Sequence, residues 1–300
     1  MYTRIILIAN QKSGQNSRDA EAINRVMTVF GDRAERMDWD PGSPIEETVS
    51  RALARETEIV VVAGGDGTVM AVASALLGTG VPMGVLPLGT FNFFARGLGL
   101  SETPEEAGRQ LQTAEAHDIR VGMVNGQAFL NNASLGIYPA ILRERETVYS
   151  RWGRFRLAAH WSVVKTFLRF RKPMKITLTV DGKRETRRTA LVFVARSAYQ
   201  LNLFGIDGED AIDADRFAIL LARAETRFAL FMMSLRLALG RPMRGREYDL
   251  ISAEAADIET KQRRTLVAFD GEKQRVRGPF RFRMSDESLT VLLPKSDAED

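Results

Sequence analysis

The segment Val60-Val61-Val62-Ala63-Gly64-Gly65-Asp66-Gly67-Thr68 constrains this chain more than any other. A strand-length apolar run needs burial on both faces, which a central parallel strand provides. The glycines then permit a tight turn, and the uncharged stretch that follows has helical length. Strand, turn and helix in that order form the unit of a parallel sheet covered on both faces by helices. Residues 4–9 and 81–86 are similar apolar runs, and helical patterns cover 17–30, 44–55, 67–77 and 103–114. Ser43 before Pro44, with Glu46 and Glu47 in the first turn, marks the start of the second of these helices.

The character changes near residue 118. Asn125-Gly126, Asp181-Gly182 and Asp270-Gly271 each sit between strand-like runs, the strongest short signal for a hairpin. Ile176–Val180, Leu191–Ala195, Phe217–Ala222, Thr265–Phe269, Phe280–Met284 and Leu289–Leu293 read as short strands of a mostly antiparallel β domain. Helical insertions are expected at 151–170 and 225–240. The division places one domain at 1–120 and the second at 121–295.

The 300 residues include no cysteine and only two histidines, His117 and His160, far apart in sequence. Disulfides, thiolate nucleophiles and cysteine-ligated metal are excluded, and a histidine triad or zinc site is disfavoured. Acid–base work falls to carboxylates, lysines or water. From Thr68 to Ala95 the chain carries no charge, but Gly78, Gly80, Pro82, Gly84, Pro87 and Gly89 interrupt it. That stretch reads as helix, turn and strand rather than a membrane span. The first residues lack a signal-peptide pattern, so a cytoplasmic protein is expected.

Two readings of Gly64–Thr68 stay open on spacing alone. In one, glycines let the backbone approach a phosphate, the amides at the helix start face the anion, and Thr68 adds a hydroxyl. Asp66 beside a phosphate then implies Mg²⁺, directly or through water. In the other, the segment is a tight turn with Asp66 as a helix cap. No Lys follows the loop and no second glycine pair is in register, so it is neither a Walker loop nor a dinucleotide fingerprint.

Five elements together resemble the diacylglycerol kinase catalytic-domain family of lipid kinases, which includes the sphingosine kinases. They are Asn10-Gln11-Lys12-Ser13-Gly14, Gly64-Gly65-Asp66-Gly67-Thr68, Pro87 to Arg96, Asn132-Ala133-Ser134-Leu135-Gly136 and Phe269-Asp270-Gly271-Glu272. The resemblance implies a Rossmann-like α/β domain, related to NAD kinases and phosphofructokinases, joined to a β-sandwich domain. ATP and lipid would meet in a cleft between the two.

By position, Asn10 and Ser13 would help hold the nucleotide, Gly64, Gly65, Asp66, Gly67 and Thr68 would cradle its phosphates, and Gly89, Thr90 and Asn92 would complete the site. Asp270 would be the general base for the acceptor hydroxyl, with Glu272 assisting or binding metal. From spacing alone, Asp270-Gly271 and Asp181-Gly182 look alike as turns. Only the resemblance and Glu272 separate them.

There are departures from the family pattern. Phe93 stands where the best-known lipid kinases carry Asp, Gln11 where Pro is usual, and Tyr138 where an Asp often follows. Asp213 and Asp215 match partially an element that holds a structural Mg²⁺ in some members.

Arg143 to Lys175 carries ten Lys/Arg and two Glu among Tyr149, Trp152, Phe155, Trp161, Phe167 and Phe170. Either it lies on an anionic membrane, at the inner face, or it is a core-packing helix with a solvated basic face. Nucleic acid is not expected, since no recognition motif accompanies the charge. A homodimer is left open. The leading reading is an ATP- and Mg²⁺-dependent lipid kinase. The competitors are an NAD kinase, which the Pro87–Arg96 and Asn132–Gly136 elements disfavour, and a weakly catalytic nucleotide- or lipid-binding regulator, motivated by Phe93.

Overall fold

The computed structural model describes residues 2–10, 16–140, 173–224, 226, 228–232 and 247–295. The chain divides into two compact units, Met1–Val121 with Ser285–Asp300, and Gly122–Met284.

In the first unit, strands β1 (Ile5–Ala9), β2 (Ala34–Asp38), β3 (Ile59–Gly64), β4 (Met83–Pro87) and β5 (Glu115–Ile119) alternate with helices. The helices are α1 (Asn16–Phe30), α2 (Ile45–Leu53), α3 (Asp66–Leu76), α4 (Phe93–Gly97) and α5 (Pro104–Thr113). With the last strand, β18 (Leu289–Leu293), the sheet runs β2-β1-β3-β4-β18-β5. Neighbours are parallel from β2 to β18, and β5 closes the sheet antiparallel to β18.

The apolar runs read from the sequence are the central strands, and every residue of β1, β3 and β4 is buried. The two strands with no apolar signature, Ala-Glu-Arg-Met-Asp of β2 and Glu-Ala-His-Asp-Ile of β5, are the sheet's edges, where one side faces water.

Placing Leu289–Leu293 in the second domain needs correcting. Leu289, Val291 and Leu292 are fully buried between β4 and β5 of the first sheet. A short alternating apolar run specifies a buried strand but not which sheet takes it.

The second unit holds two antiparallel sheets. One is ordered β10-β9-β14-β17-β6-β7, from β6 (Gly122–Val124), β7 (Gln127–Phe129), β9 (Met174–Val180), β10 (Lys183–Thr189), β14 (Ala256–Thr260) and β17 (Phe280–Met284). The other is ordered β13-β12-β11-β8-β15-β16, from β8 (Asn132–Gly136), β11 (Leu191–Ala195), β12 (Phe217–Ala222), β13 (Tyr248–Ala253), β15 (Arg264–Phe269) and β16 (Glu272–Arg277).

Ile176, Leu178, Ile258, Phe280 and Phe282 of one sheet pack with Leu135, Val192, Val194, Phe217 and Val267 of the other in a single core. Each such side chain removed from water stabilises the sandwich by about 1.5–3 kcal/mol. On the outer face of the second sheet, α6 (Ala198–Leu203) and α7 (Glu209–Asp213) bring Leu201 and Ala211 against Phe193, Leu220 and Tyr248. The sandwich architecture is the one expected.

The helix expected at 151–170, and the basic aromatic stretch as far as residue 172, lie outside the described residues. Of 225–240, only 226 and 228–232 are described; Phe228 is exposed and Leu230 fully buried. Among the described residues no helix is long and apolar enough to cross a membrane.

Candidate active site

Three adjacent parallel strands bring their carboxyl ends to one edge of the first unit. Ala9 is in register with Ala63, and Gly64 with Pro87, so Asn10, Gly65 and Leu88 leave the sheet together. Such an edge is where open α/β sheets take ligands.

The Asn10 side-chain amide donates to the Thr68 hydroxyl at 3.0 Å, and both residues are buried. Thr68 folds back over Gly64, where an added Cβ would lie 2.7 Å from the Thr68 Cβ. The Gly65 carbonyl accepts the Val69 N–H at 3.0 Å. The amides of Asp66, Gly67 and Thr68 therefore form the open first turn of α3, at the positive end of its dipole.

The loop after β4 is braced by its own asparagine. The Asn92 side chain accepts from Gly89 N at 2.8 Å and donates to Gly89 O at 3.0 Å, with Asn92 itself at φ +50°. Asparagine tolerates this left-handed conformation better than most residues. A Cβ on Gly89 would lie 2.5 Å from the Gly65 Cα, so the two loops touch backbone to backbone.

Asp66 ties them further, its Oδ1 accepting the Phe94 N–H at 3.2 Å. Burial pushes the Asp66 carboxyl above its ordinary range, while the amides of Phe94, Phe93 and Asn92 pull the other way. Beside this junction Phe91 and Phe93 stack with ring centroids 5.2 Å apart, and Phe91 is 48% exposed.

In the second unit, Asp270 (φ +46°) and Gly271 (φ +90°) form the turn from β15 to β16. The Asp270 N–H donates to Asn132 O at 2.9 Å. Its carboxylate accepts three backbone amides, from Leu130 at 2.7 Å, Asn131 at 2.7 Å and Asn132 at 2.9 Å. Next to these amides, the side-chain oxygens Asn131 Oδ1, Asn132 Oδ1 and Ser134 Oγ are buried with no hydrogen-bond partner among the described residues. Asn132 uses its other amide atom, donating to Gln200 Oε1 at 2.9 Å.

Residues 4–124 match the sequence model of the diacylglycerol kinase catalytic domain. The likeness to that family covers this segment of the chain. Among the relatives, a protein named probable lipid kinase YegS-like from Chromohalobacter salexigens is 36% identical over 137 residues, 43% of each chain. One of the same name from Pseudomonas fluorescens is 36% identical over 135 residues, 44% of each. The chain thus spans about half the length of the curated relatives it matches. The crystal structure of a diacylglycerol kinase from Bacillus anthracis superimposes with a TM-score of 0.67 at 17% identity, covering 97% of each chain. That likeness shows the fold.

Within the matched segment, Asn10, Gly64, Gly65, Asp66, Gly67, Thr68, Gly89 and Asn92 come together around the crossed loops. Thr90 is exposed on the second loop, and Ser13 lies outside the described residues. The polar atoms of Asn92 serve the loop rather than facing outward as ligands. Asp66 spends a carboxylate oxygen on the neighbouring loop.

Glu272 is exposed at the start of β16. Asp215 (φ +56°) forms an ion pair with Arg196, and Asp213 ends α7. Among the described residues no three His, Asp or Glu side chains gather closely enough to hold a metal ion. The amides of Leu130 and Asn131 escaped the sequence reading because a backbone donor carries no residue-type signature.

Proposed function

We propose that the protein is a lipid kinase transferring the γ-phosphoryl group of ATP to a hydroxyl of diacylglycerol or a related lipid. The observation that carries this reading is the contact of two glycine loops at Gly65 and Gly89, at the carboxyl ends of β1, β3 and β4. No side chain fits at the crossing, so the adjoining amides of Gly67 and Thr68 would meet an anion with little steric screen. The Asn10 amide orients the Thr68 hydroxyl beside them.

This cradle fits a polyphosphate. The donor set does not form a metal cage, because Asp66 is engaged with Phe94 N. A Mg²⁺ ion would therefore be held mainly by the nucleotide's own phosphates, with Asp66 as its nearest protein carboxylate, directly or through water. When bound it would neutralise charge on the phosphates.

In the transfer, the acceptor oxygen bonds to the γ-phosphorus, the bond from that phosphorus to the bridging oxygen breaks, and ADP leaves. The acceptor proton goes to the Asp270 carboxylate. The amides of Leu130, Asn131 and Asn132 hold that carboxylate in one orientation, so the group is both base and brace. The enzyme would act at the inner face of the membrane, where such lipids reside.

A second reading has support of its own. Phe93 stacks on Phe91, and the carboxylates of Asp66 and Asp270 both carry backbone amides. A nucleotide- and lipid-binding regulator with weak turnover would tolerate these features.

One assay separates the readings: Mg·ATP offered with diacylglycerol, a sphingosine-like base or NAD, beside equilibrium ATP binding. Phosphorylated diacylglycerol supports the kinase. ATP binding without phosphorylation of any acceptor supports the regulator, and phosphorylation of NAD alone refutes both.

A further inference from the structure

The hairpin that carries Asp270 also carries an unusual charge pattern. Residues 261–277 hold six Lys/Arg (Lys261, Arg263, Arg264, Lys273, Arg275, Arg277) and two acids, Asp270 and Glu272. The Asp270 carboxylate is occupied by three amides. β16 is the edge strand of its sheet. Its register with β15 pairs Lys273 with Ala268, Arg275 with Leu266 and Arg264 with Arg277.

Cross-strand partners share a face, and alternate residues share it too. Val267, Phe269 and Val276 pack into the core on one face, so Arg264, Lys273, Arg275 and Arg277 all project on the other. Arg264, Arg275 and Arg277 are exposed, and none has an ion-pair partner among the described residues. Like charges directly opposite each other destabilise a sheet, so the Arg264/Arg277 pair works against the fold that displays it. An anionic surface would relieve that repulsion.

The row continues inward. Lys273 pairs across to Ala268, and Ala268 to Ser134, which places the cationic edge roughly 10 Å, two strand spacings, from Ser134. Along the strand the ladder runs about 14 Å from Lys273 to Arg277. We infer that this face of the β15–β16 hairpin docks on an anionic phospholipid surface. A bilayer met there would bring its headgroups toward the same face of this sheet as Ser134.

This rests on the lipid-kinase reading for the choice of a membrane as partner. The hairpin's exposed residues include no aromatic to stack on bases and no helix to enter a groove, so nucleic acid is disfavoured.

The test is sedimentation of the full chain with phosphatidylcholine vesicles made with or without phosphatidylglycerol, beside the variant Arg264→Gln/Arg275→Gln/Arg277→Gln. Each arginine near an anionic surface is worth about fivefold in affinity, so the triple variant should bind phosphatidylglycerol vesicles roughly a hundredfold more weakly. Wild-type binding should also fall steeply with salt.

Binding of the triple variant within twofold of wild type overturns the inference, as does wild-type binding to RNA in preference to vesicles. Should the triple variant fold poorly, Arg275→Gln alone keeps the test open, with about a fivefold loss expected and no loss overturning it. Turnover of a water-soluble short-chain diacylglycerol distinguishes the two claims. Retained turnover in the variant with lost vesicle binding supports both. Absence of turnover in the wild type sinks the kinase reading, while the vesicle comparison still decides the surface.

Discussion

Asp181-Gly182 and Asp270-Gly271 are the same turn in two places. Both aspartates sit at φ near +50°, both glycines at positive φ, and both dipeptides join antiparallel neighbours, β9 to β10 and β15 to β16. Backbone preference alone explains each, since Asp-Gly suits a two-residue turn with left-handed residues. The side chains then part company. Asp181 is exposed and makes no side-chain hydrogen bond among the described residues, while Asp270 gathers the amides of Leu130, Asn131 and Asn132 from a separate segment. Identical local chemistry thus yields a turn in one hairpin and an anchor in the other, according to what the fold brings alongside.

The sharpest way to break this comparison is Asp270→Ala. It leaves three backbone donors without a partner, and the second unit should lose about 3–5 kcal/mol in chemical unfolding. A loss under about 1 kcal/mol would show that the anchor carries little energy.

The same Asp→Asn change at both turns gives a matched pair. Asp270→Asn keeps one acceptor oxygen but aims an NH₂ at the Leu130 N–H, so about 1–3 kcal/mol should be lost. Turnover should also fall by about 10²-fold or more if the carboxylate takes the acceptor proton, with ATP affinity retained. Full turnover in this variant would remove the base role and leave the anchor.

Asp66 is an intermediate case, a carboxylate with one amide bond across to Phe94 and a pKa raised above the ordinary 3.8 by burial. A raised carboxyl contributes stability below the unfolded value and loses it as pH climbs through the folded value. Asparagine cannot titrate. The melting temperature of Asp66→Asn should therefore gain on wild type as pH rises from about 4 to 7 in the nucleotide-free protein. A constant difference across that range would show that Asp66 does not ionise against a burial penalty.

The smallest effect belongs to Asp181→Asn. Asparagine keeps the left-handed preference and no side-chain bond is lost, so stability should stay within about 0.5 kcal/mol of wild type. A larger change would erase the contrast.

The central parallel strands and the helices between them were legible because burial on both faces forces continuous apolar runs, as in β1, β3 and β4. The edges were not. Ala34–Asp38 and Glu115–Ile119 carry charges because one side meets water, so no apolar run marks them. In the site, Gly64–Thr68 and Gly89 were visible by composition, since only glycine permits the Gly65–Gly89 approach. The hydrogen bonds of Asn92 and Asp66 to the loops themselves were not legible, because their partners are backbone atoms.

The sequence by itself determined a strand-turn-helix unit with a glycine loop, a parallel sheet followed by hairpins, and a resemblance spread over five elements. These follow from periodicity, turn stereochemistry and residue identity, which act over a few neighbours. Only the tertiary structure decided that Leu289–Leu293 returns to the first sheet, that Asp270 rather than Asp181 is an anchor, and that four cations of one hairpin share a face. Those outcomes depend on strand register and on contacts between residues far apart in sequence, such as Val291 beside Met83 or the bond from Leu130 to Asp270. No local pattern encodes such a pairing, because the backbone amides that complete it are common to every residue type except proline.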